Sequence, residues 1–272
     1  MTFTILGGTG FIGGRLVAEL RRQGNEVHVP VRGEPEIFGR ELGHVIYAAG
    51  LTADFRTRPF DTVEAHVGLL NRLLRSGNFQ SLLYLSSTRV YGGGARADEA
   101  QRLSVDPADP DDLYNLSKLT GESLCTATGR DTVRIARLSN VYGGDFESQN
   151  FLAEILRQAV LGGVVRLRTA LDSAKDYVGV ADVVGLLPRI VLSGKARLYN
   201  VAGGRNVSNR ELLAGLSRLA SVTVEVEERA PTVVFPEISI DRARGEFGFA
   251  PTGILADLPG LVNEFKKAML VK

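Results

Sequence analysis

Residues 2–14 read TFTILGGTGFIGG, a short run of β-forming and apolar residues that is followed at once by glycines. The run predicts a buried strand, and apolar residues at four-residue spacing between residues 11 and 23 predict a helix that ends at Gly24. Glycines between a strand and a helix let a pyrophosphate approach the helix N-terminus, where free N–H groups and the dipole hold negative charge. A tight turn that only allows close helix packing is the alternative, and the strand-to-helix context favours dinucleotide binding. The predicted cofactor-binding residues of this turn are Gly7, Gly10, Phe11, Ile12 and Gly13.

Downstream of this turn, β-rich runs alternate with amphipathic helical runs as far as about residue 143. The predicted strands are 26–31, 44–49, 81–86 and 133–138, and the predicted helices are 60–77 and 111–128. Such alternation is typical of right-handed βαβ units, so we expect an α/β fold with a doubly wound parallel (Rossmann-type) sheet. Only 11 residues, 33–43, separate the second and third strands. Two crossovers with a strand between them need far more, so the sheet is expected to lack one usual strand.

The second half of the chain has a different pattern of predicted secondary structure, with shorter strands and helices that do not alternate regularly. We expect residues 1–145 to form a dinucleotide-binding domain and residues 146–272 to form a smaller C-terminal substrate lobe. The segment 181–201 ends in a buried-looking strand that is expected to rejoin the main sheet. The two units are therefore predicted to be interleaved.

Composition excludes several classes of function. Thirty-two basic against 31 acidic residues give a net charge of +1, which favours neither nucleic acid nor an anionic membrane as a partner. The single Cys125 excludes an internal disulfide, and His28, His44 and His66 show no i,i+4 pairing, so no metal site is expected. No apolar stretch is long enough to span a bilayer, and the glycine-rich start is a poor signal peptide. A soluble cytoplasmic protein is predicted.

Arg32 follows the second predicted strand, where an Asp or Glu would accept hydrogen bonds from the adenosine ribose hydroxyls. A guanidinium there suits a 2′-phosphate, so the sequence favours NADP, with NAD as the alternative. The competing interpretation is an ordinary solvated arginine.

Tyr114 and Lys118 lie four residues apart on a predicted helix and therefore on one face. Ser86, Ser87 and Thr88 end a predicted strand, at the sheet edge where open α/β sheets bind ligands. Lowering the pKa of a tyrosine by about 3 units takes about 4 kcal/mol, which a neighbouring ammonium and an oxidised nicotinamide could supply. The three residue types suit hydride transfer coupled to proton transfer, with Ser87 orienting the substrate oxygen. A surface Tyr–Lys pair and a strand-end turn are the alternative.

Further motifs follow in order: SSTRVYG (86–92), Asp98-Glu99, YNLSK (114–118), RLSNVYG (137–143), KDYV (175–178) and YNV (199–201). With the glycine turn, this set resembles the extended short-chain dehydrogenase/reductase family, in its nucleotide-sugar epimerase, dehydratase and ketoreductase branch. The resemblance implies Tyr114 as acid/base, Lys118 as its electrostatic partner and nicotinamide-ribose ligand, and Ser87 as the orienting hydroxyl. The implied substrate contacts are Ser87, Thr88, Asn140 and Lys175.

The sequence departs from this family at several positions. Thr88 and Arg89 stand where related dehydratases carry acidic residues, so elimination of water is not expected. His66 takes the place of a usual asparagine, and Lys175 that of an arginine on the substrate diphosphate, which keeps the charge but loses the bidentate fork. The short link 33–43 also omits the family's acidic contact to adenine.

These features favour an NADPH-dependent reductase of a keto group on a nucleotide-activated (deoxy)sugar. An NAD-dependent nucleotide-sugar 4-epimerase needs the same residues and stays the alternative. A non-catalytic dinucleotide-binding sensor or assembly protein is a third hypothesis, from a different class. The resemblance further implies a homodimer through helices 59–76 and 111–128, with an apolar face that includes Leu69, Leu73, Leu113 and Leu116.

Overall fold

A computed structural model of the protein describes residues 1–31, 33, 35–51, 54–94 and 96–270. The strands are β1 (Thr2–Leu6), β2 (Glu26–His28), β3 (His44–Tyr47), β4 (Ser81–Ser87), β5 (Val133–Leu138), β6 (Asn140–Tyr142), β7 (Val164–Leu167), β8 (Ala174–Gly179), β9 (Leu198–Val201), β10 (Asn206–Ser208) and β11 (Thr223–Val226). The α-helices are α1 (Phe11–Arg22), α2 (Pro59–Val63), α3 (Leu69–Ser76), α4 (Leu113–Ala127), α5 (Phe151–Arg157), α6 (Val180–Ser193), α7 (Asn209–Ser217), α8 (Asp241–Phe247) and α9 (Ile254–Leu270).

The central sheet has six parallel strands in the order β2-β1-β3-β4-β5-β9. Apolar residues of α1 and α6 pack on one face of this sheet, and those of α3 and α4 pack on the other. The doubly wound α/β fold predicted from the sequence is thereby confirmed. In the described part of the chain no strand lies beyond β2, so the sheet lacks the strand that the 11-residue link cannot accommodate.

A second core lies outside the central sheet. It is formed by apolar residues of α5, α7 and α9, together with small sheets of order β10-β8-β6 and β11-β7. Between these elements the chain returns to the main sheet, because β9 pairs in parallel with β5 and α6 packs against it. The domain boundary at residue 145 stays a prediction.

The predicted helix 60–77 is interrupted by a π-helical turn over Glu64–Gly68. The 3.6-residue spacing of apolar residues in this stretch predicts one buried face with Phe60, Val63, Val67, Leu70 and Leu74, and this prediction is wrong for its first members. Phe60 is 89% exposed and Val63 is 39% exposed, while Leu70 and Leu73 are fully buried. A π turn inserts one extra residue and shifts the helical phase. The same shift turns His66 into the interior, where its exposure is 0%.

Two further properties concern partners and ligands. No helix in the described ranges is long and apolar enough to cross a bilayer. Within those ranges, His, Cys, Asp and Glu side chains also do not form a group of three or more that could hold a metal ion.

Candidate active site

The glycine turn connects β1 to α1 with steric demands that explain two of its glycines. Gly7 has a φ of +79°, and a Cβ there would lie 2.6 Å from the Ala48 carbonyl oxygen. A Cβ on Gly13 would collide with the Gly7 oxygen, so only glycine lets the helix approach the turn this closely. Gly10 precedes α1 without a side-chain cap, which leaves first-turn N–H groups available to an anion. The turn therefore fits a dinucleotide pyrophosphate.

The remaining residues predicted to bind the cofactor are Phe11, Ile12 and Arg32. Phe11 and Ile12 are half-buried at the start of α1, where the Arg15 guanidinium stacks 4.3 Å from the centre of the Phe11 ring. Arg32, from which the NADP preference was inferred, lies outside the described residues.

Tyr114 and Lys118 lie together on α4, as their spacing predicted. Both are buried, at 4% and 6% exposure. The Lys118 Nζ donates a hydrogen bond to the Leu85 carbonyl oxygen at 3.0 Å and lies 5.9 Å from the Tyr114 ring centre. The anchoring carbonyl belongs to β4, so the ammonium is held at the carboxyl end of a central strand, where ligands of such sheets bind.

Burial governs the charge of Lys118. It lowers the pKa of this side chain to about 7, and the carboxylate of Glu122, one helical turn further on, acts in the opposite direction. The amine therefore changes its protonation state near neutral pH. Sequence reasoning missed Glu122, although its i,i+4 spacing from Lys118 was a readable signal.

The three hydroxyl residues at the end of β4 do not act as a group. Ser86 points into the core and donates a hydrogen bond to Glu122 Oε1 at 2.5 Å. Ser87 and Thr88 are half-buried, and the Ser87 Oγ accepts a hydrogen bond from the Arg89 backbone N–H at 3.2 Å. Because successive strand residues alternate between faces, Ser87 is the hydroxyl left for a substrate.

Two residues next to Tyr114 complete the immediate surroundings. The Arg89 guanidinium lies 5.4 Å from the Tyr114 ring centre and 4.9 Å from that of Phe55. The two rings themselves are 5.6 Å apart. Phe55 lies in the loop after β3, and no sequence signal marked it. Arg89 places a positive charge beside the phenol where the resembling dehydratases have acidic residues.

His66 forms the other wall beside Tyr114. Its ring lies edge-on to the Tyr114 ring at 5.3 Å, and its Nδ1 is 2.8 Å from the Ser117 Oγ. Burial, followed by the nearby Lys118 charge, lowers the pKa of His66 to about 3. Hydrogen bonding with the Leu51 backbone has a smaller effect, which raises the pKa. The imidazole is therefore neutral at physiological pH.

Asn140 and Lys175 lie on neighbouring strands of the small β10-β8-β6 sheet. Asn140 is exposed, and its Nδ2 donates to the Asp176 carbonyl oxygen at 2.7 Å. Lys175 is half-buried with its Nζ 4.6 Å from the Phe151 ring centre, and burial lowers its pKa. Since β6 begins directly after β5, both residues lie beyond the carboxyl edge of the main sheet. Their predicted role in substrate binding stays a prediction.

Comparison with known proteins gave matches over most of the chain. A family model described as "NAD dependent epimerase/dehydratase family" matches residues 3–202. GDP-6-deoxy-D-mannose reductase of Pseudomonas aeruginosa is 31% identical over 176 residues, which are 59% of this chain and 55% of that protein. The chain therefore aligns with little more than half the length of this curated relative.

Two further matches extend almost end to end. The dTDP-6-deoxy-L-talose 4-dehydrogenase (NAD(P)(+)) of Kitasatospora kifunensis is 27% identical, over 93% of this chain and 92% of that protein. The solved structure of RMD from Pseudomonas aeruginosa complexed with NADPH has a TM-score of 0.76 and 26% identity, and the match covers 98% of this chain and 99% of that one.

Proposed function

The chain belongs to the NAD dependent epimerase/dehydratase family, as its motifs predicted, and we propose that it reduces a keto group on a nucleotide-activated sugar with NADPH. The observation that carries this proposal is the buried Tyr114–Lys118 pair, which Lys118 anchors to Leu85 near the carboxyl end of β4, the strand that ends at the half-buried Ser87. A binding module has no use for a phenol placed beside a buried amine. The site also has Arg89 where a dehydratase would need an acid.

The proposed reaction adds a hydride to the carbonyl carbon and a proton to the carbonyl oxygen, which gives an alcohol. NADPH held by the glycine turn at Gly7, Gly10 and Gly13 would supply that hydride. The Tyr114 hydroxyl gives its proton to the substrate oxygen, and the Lys118 ammonium stabilises the phenolate that remains. The Ser87 hydroxyl donates a hydrogen bond to the same oxygen and orients the carbonyl. In the reverse direction the same groups would oxidise an alcohol.

The cofactor and substrate classes rest on support of different kinds. NADPH is favoured by Arg32 in the sequence and by the NADPH in the related RMD structure. A nucleotide-activated deoxysugar is favoured because both curated relatives described above are named for such substrates. In this chain Lys175 would contact the diphosphate and Asn140 the nucleotide sugar, with Thr88 beside the sugar.

Nicotinamide absorbance during incubation with NADPH and nucleotide-linked 4-keto-6-deoxyhexoses separates the proposed reductase from a 4-epimerase. A reductase consumes NADPH in equal amount to the keto-sugar. An epimerase would retain tightly bound NAD through purification, interconvert two sugars and leave added NADPH unchanged. Cofactor binding with neither activity on any nucleotide sugar would favour a sensor or assembly protein.

We also propose a cytoplasmic homodimer in which α2, α3 and α4 of two copies pack together. Leu69, Leu113 and Leu116 are half-buried on these helices and the adjoining Phe60 is exposed, so an apolar surface is available. Leu73 does not belong to this surface, contrary to the sequence-based expectation, because it is fully buried within its own chain. Light scattering that shows a monomer at micromolar concentration would contradict the dimer.

A further inference from the structure

The buried histidine beside the Tyr–Lys pair has one ring nitrogen that the candidate mechanism leaves unused. His66 Nδ1 contacts the Ser117 hydroxyl, whereas Nε2 is buried and makes no hydrogen bond of normal distance and angle with the described residues; the Leu51 backbone is the other polar group that acts on the ring. A buried polar atom without a partner is costly, so its presence next to reacting groups calls for a functional explanation.

Hydrogen-bond accounting fixes the tautomer of this ring. The Ser117 Oγ lies 2.8 Å from the Tyr114 backbone carbonyl oxygen and 2.8 Å from His66 Nδ1. A serine hydroxyl has one proton, and the carbonyl has none to give. Both contacts are hydrogen bonds only if Ser117 donates to the carbonyl and accepts from a protonated Nδ1. His66 Nε2 therefore carries a lone pair.

That lone pair lies in the same small space as the Lys118 ammonium. A Cβ built on Gly50 would lie 2.9 Å from His66 Nε2 and 3.4 Å from Lys118 Nζ, so both atoms lie beneath this glycine. The π turn puts His66 there, and its backbone is fixed because the Tyr84 hydroxyl donates to the His66 carbonyl oxygen at 3.3 Å. The two distances from the Gly50 Cβ place Nε2 and Nζ no more than about 6.3 Å apart, so an acceptor at Nε2 lies near a buried cation whose described hydrogen bond is to the Leu85 carbonyl.

We propose that His66 is a positioning residue whose Nε2 lone pair, fixed in direction by Ser117, stabilises Lys118 in its charged form beside Tyr114. The groups that face Lys118 are Tyr114 and Glu122 on α4, Tyr84 and the Leu85 carbonyl on β4, and His66 on the π turn. Arg137 on β5 pairs with Glu122 and limits how much of that carboxylate's charge Lys118 experiences. The His66 lone pair is therefore a second source of stabilisation, independent of the Glu122–Arg137 pair.

The tautomer is tested by nitrogen NMR on protein labelled with ¹⁵N-histidine, without reference to activity. The chain has three histidines, so three ring systems are expected. His66 should show a protonated Nδ1 and an unprotonated Nε2, and it should stay neutral through the pH range in which a solvated histidine titrates. A ring protonated at Nε2 and directed at the Leu51 backbone would overturn the proposal.

The chain offers a matched control for the serine. His44 Nδ1 lies 2.9 Å from the Ser81 Oγ, a histidine–serine pair at the other end of β4. Ser117→Ala should alter the His66 nitrogen signals and lower turnover by about ten-fold, because the ring loses its fixed tautomer. Ser81→Ala should alter only the His44 signals and leave turnover unchanged. Equal kinetic effects of the two variants would count against the proposal.

The effect on Lys118 is read from the pH profile of keto-sugar reduction and rests on the proposed function. Loss of the acceptor in His66→Phe disfavours the ammonium, so the alkaline limb of kcat/KM should move to lower pH by about one unit. His66→Asn, whose amide oxygen can accept, should recover part of that shift. If turnover falls but the alkaline limb of the kcat/KM profile stays at the wild-type pH, His66 has only a structural role.

Failure of this inference can be told apart from failure of the proposed function. If no keto-sugar is reduced by the wild-type protein, the proposed function fails, and the nitrogen spectra still decide the His66 tautomer. If His66→Phe does not fold, the Ser117→Ala profile carries the kinetic test, since it keeps the imidazole in place.

Discussion

Arg137 donates two hydrogen bonds to the carboxylate of Glu122, from Nε at 2.9 Å and from Nη2 at 2.6 Å. Glu122 lies one helical turn after Lys118 on α4. The two side chains are only 5% and 9% exposed, and they connect α4 to β5 beneath the site. The carboxylate also accepts a hydrogen bond from Ser86. This ion pair therefore fixes the helix that carries Tyr114 and Lys118 against the central sheet.

We expect Glu122→Gln to lower the free energy of unfolding by about 3–5 kcal/mol, because it leaves the buried Arg137 cation without its counter-ion. Urea denaturation measures the change. Glu225→Gln is the matched control: it removes the partner of Arg166 in a pair whose side chains are 72% and 53% exposed, and its cost should be at most about 1 kcal/mol. Similar losses in both variants would show that the buried pair contributes no more than a surface pair.

Tyr114→Phe should lower the rate of keto-sugar reduction by at least about 100-fold, because the phenol proton has no substitute at this position. Cofactor affinity, measured by quenching of NADPH fluorescence, should change little. Tyr199→Phe serves as the control, since the buried Tyr199 hydroxyl donates to the half-buried Glu246 of α8, away from the candidate site. Turnover that survives in Tyr114→Phe would remove the residue from its proposed role.

The pH dependence of reduction should follow the charge on Lys118. Its pKa in the folded protein is about 7, so the stabilising ammonium is present at lower pH and is lost as the pH rises through this value. We expect kcat/KM for reduction to decline on the alkaline side of neutrality, with an apparent midpoint that belongs to the coupled Tyr114–Lys118 pair. A rate that rises steadily from pH 7 to 9 would contradict this assignment.

The same residue makes a stability prediction with a defined sign. The pKa of Lys118 is lowered from 10.5 to about 7, so between these values the unfolded chain binds more protons than the folded one. Stability from this group therefore rises with pH over that interval. Lys118→Met should show a flatter profile in urea denaturation between about pH 7 and 10. Parallel profiles for the variant and wild type would show that folding does not lower the pKa of Lys118.

Gly13→Ala should abolish tight cofactor binding, because the new methyl group would collide with the Gly7 carbonyl oxygen and displace α1 from the turn. Gly14→Ala, one residue later, is the matched control. A Cβ at Gly14 would meet its nearest neighbour at an ordinary 3.5 Å, and alanine favours the helix by about 0.5–1 kcal/mol. Cofactor titration and thermal unfolding of both variants separate local collision from a general effect of added methyl groups.

The fold could be predicted largely from local patterns. The strand–glycine–helix start and the regular alternation of elements led to the parallel sheet, and the 11-residue link led to the missing strand. The phase of the helix at residues 59–76 could not be predicted in this way, because a π turn is invisible to a search for 3.6-residue periodicity. The exposure of Phe60 and the burial of His66 both follow from that one inserted residue.

The parts of the candidate site that could be predicted from the sequence are those whose residues lie on one helix or strand at a fixed spacing. The Tyr114–Lys118 pair is an example, since four residues on a helix fix a common face. Strand alternation predicts that Ser86 and Ser87 point to opposite faces of the sheet. Which of the two faces the ligand depends on which face of the sheet α4 covers, and the strand sequence does not contain that information. Phe55 and Ser117 come from tertiary packing, and neither the loop sequence nor the helix sequence identifies their partners.

The placement of β9 beside β5 has a consequence for anyone who wishes to cut or recombine this gene. A fragment that ends at residue 145 would leave β5 as an unpaired edge strand with free backbone amides. It would also expose to solvent the apolar face of the sheet against which α6 packs. A fragment that starts later would carry β9 without its neighbour. Chimaeras that exchange the two cores should therefore have junctions near residue 145 and on either side of residues 180–201, which makes at least three splice points rather than one.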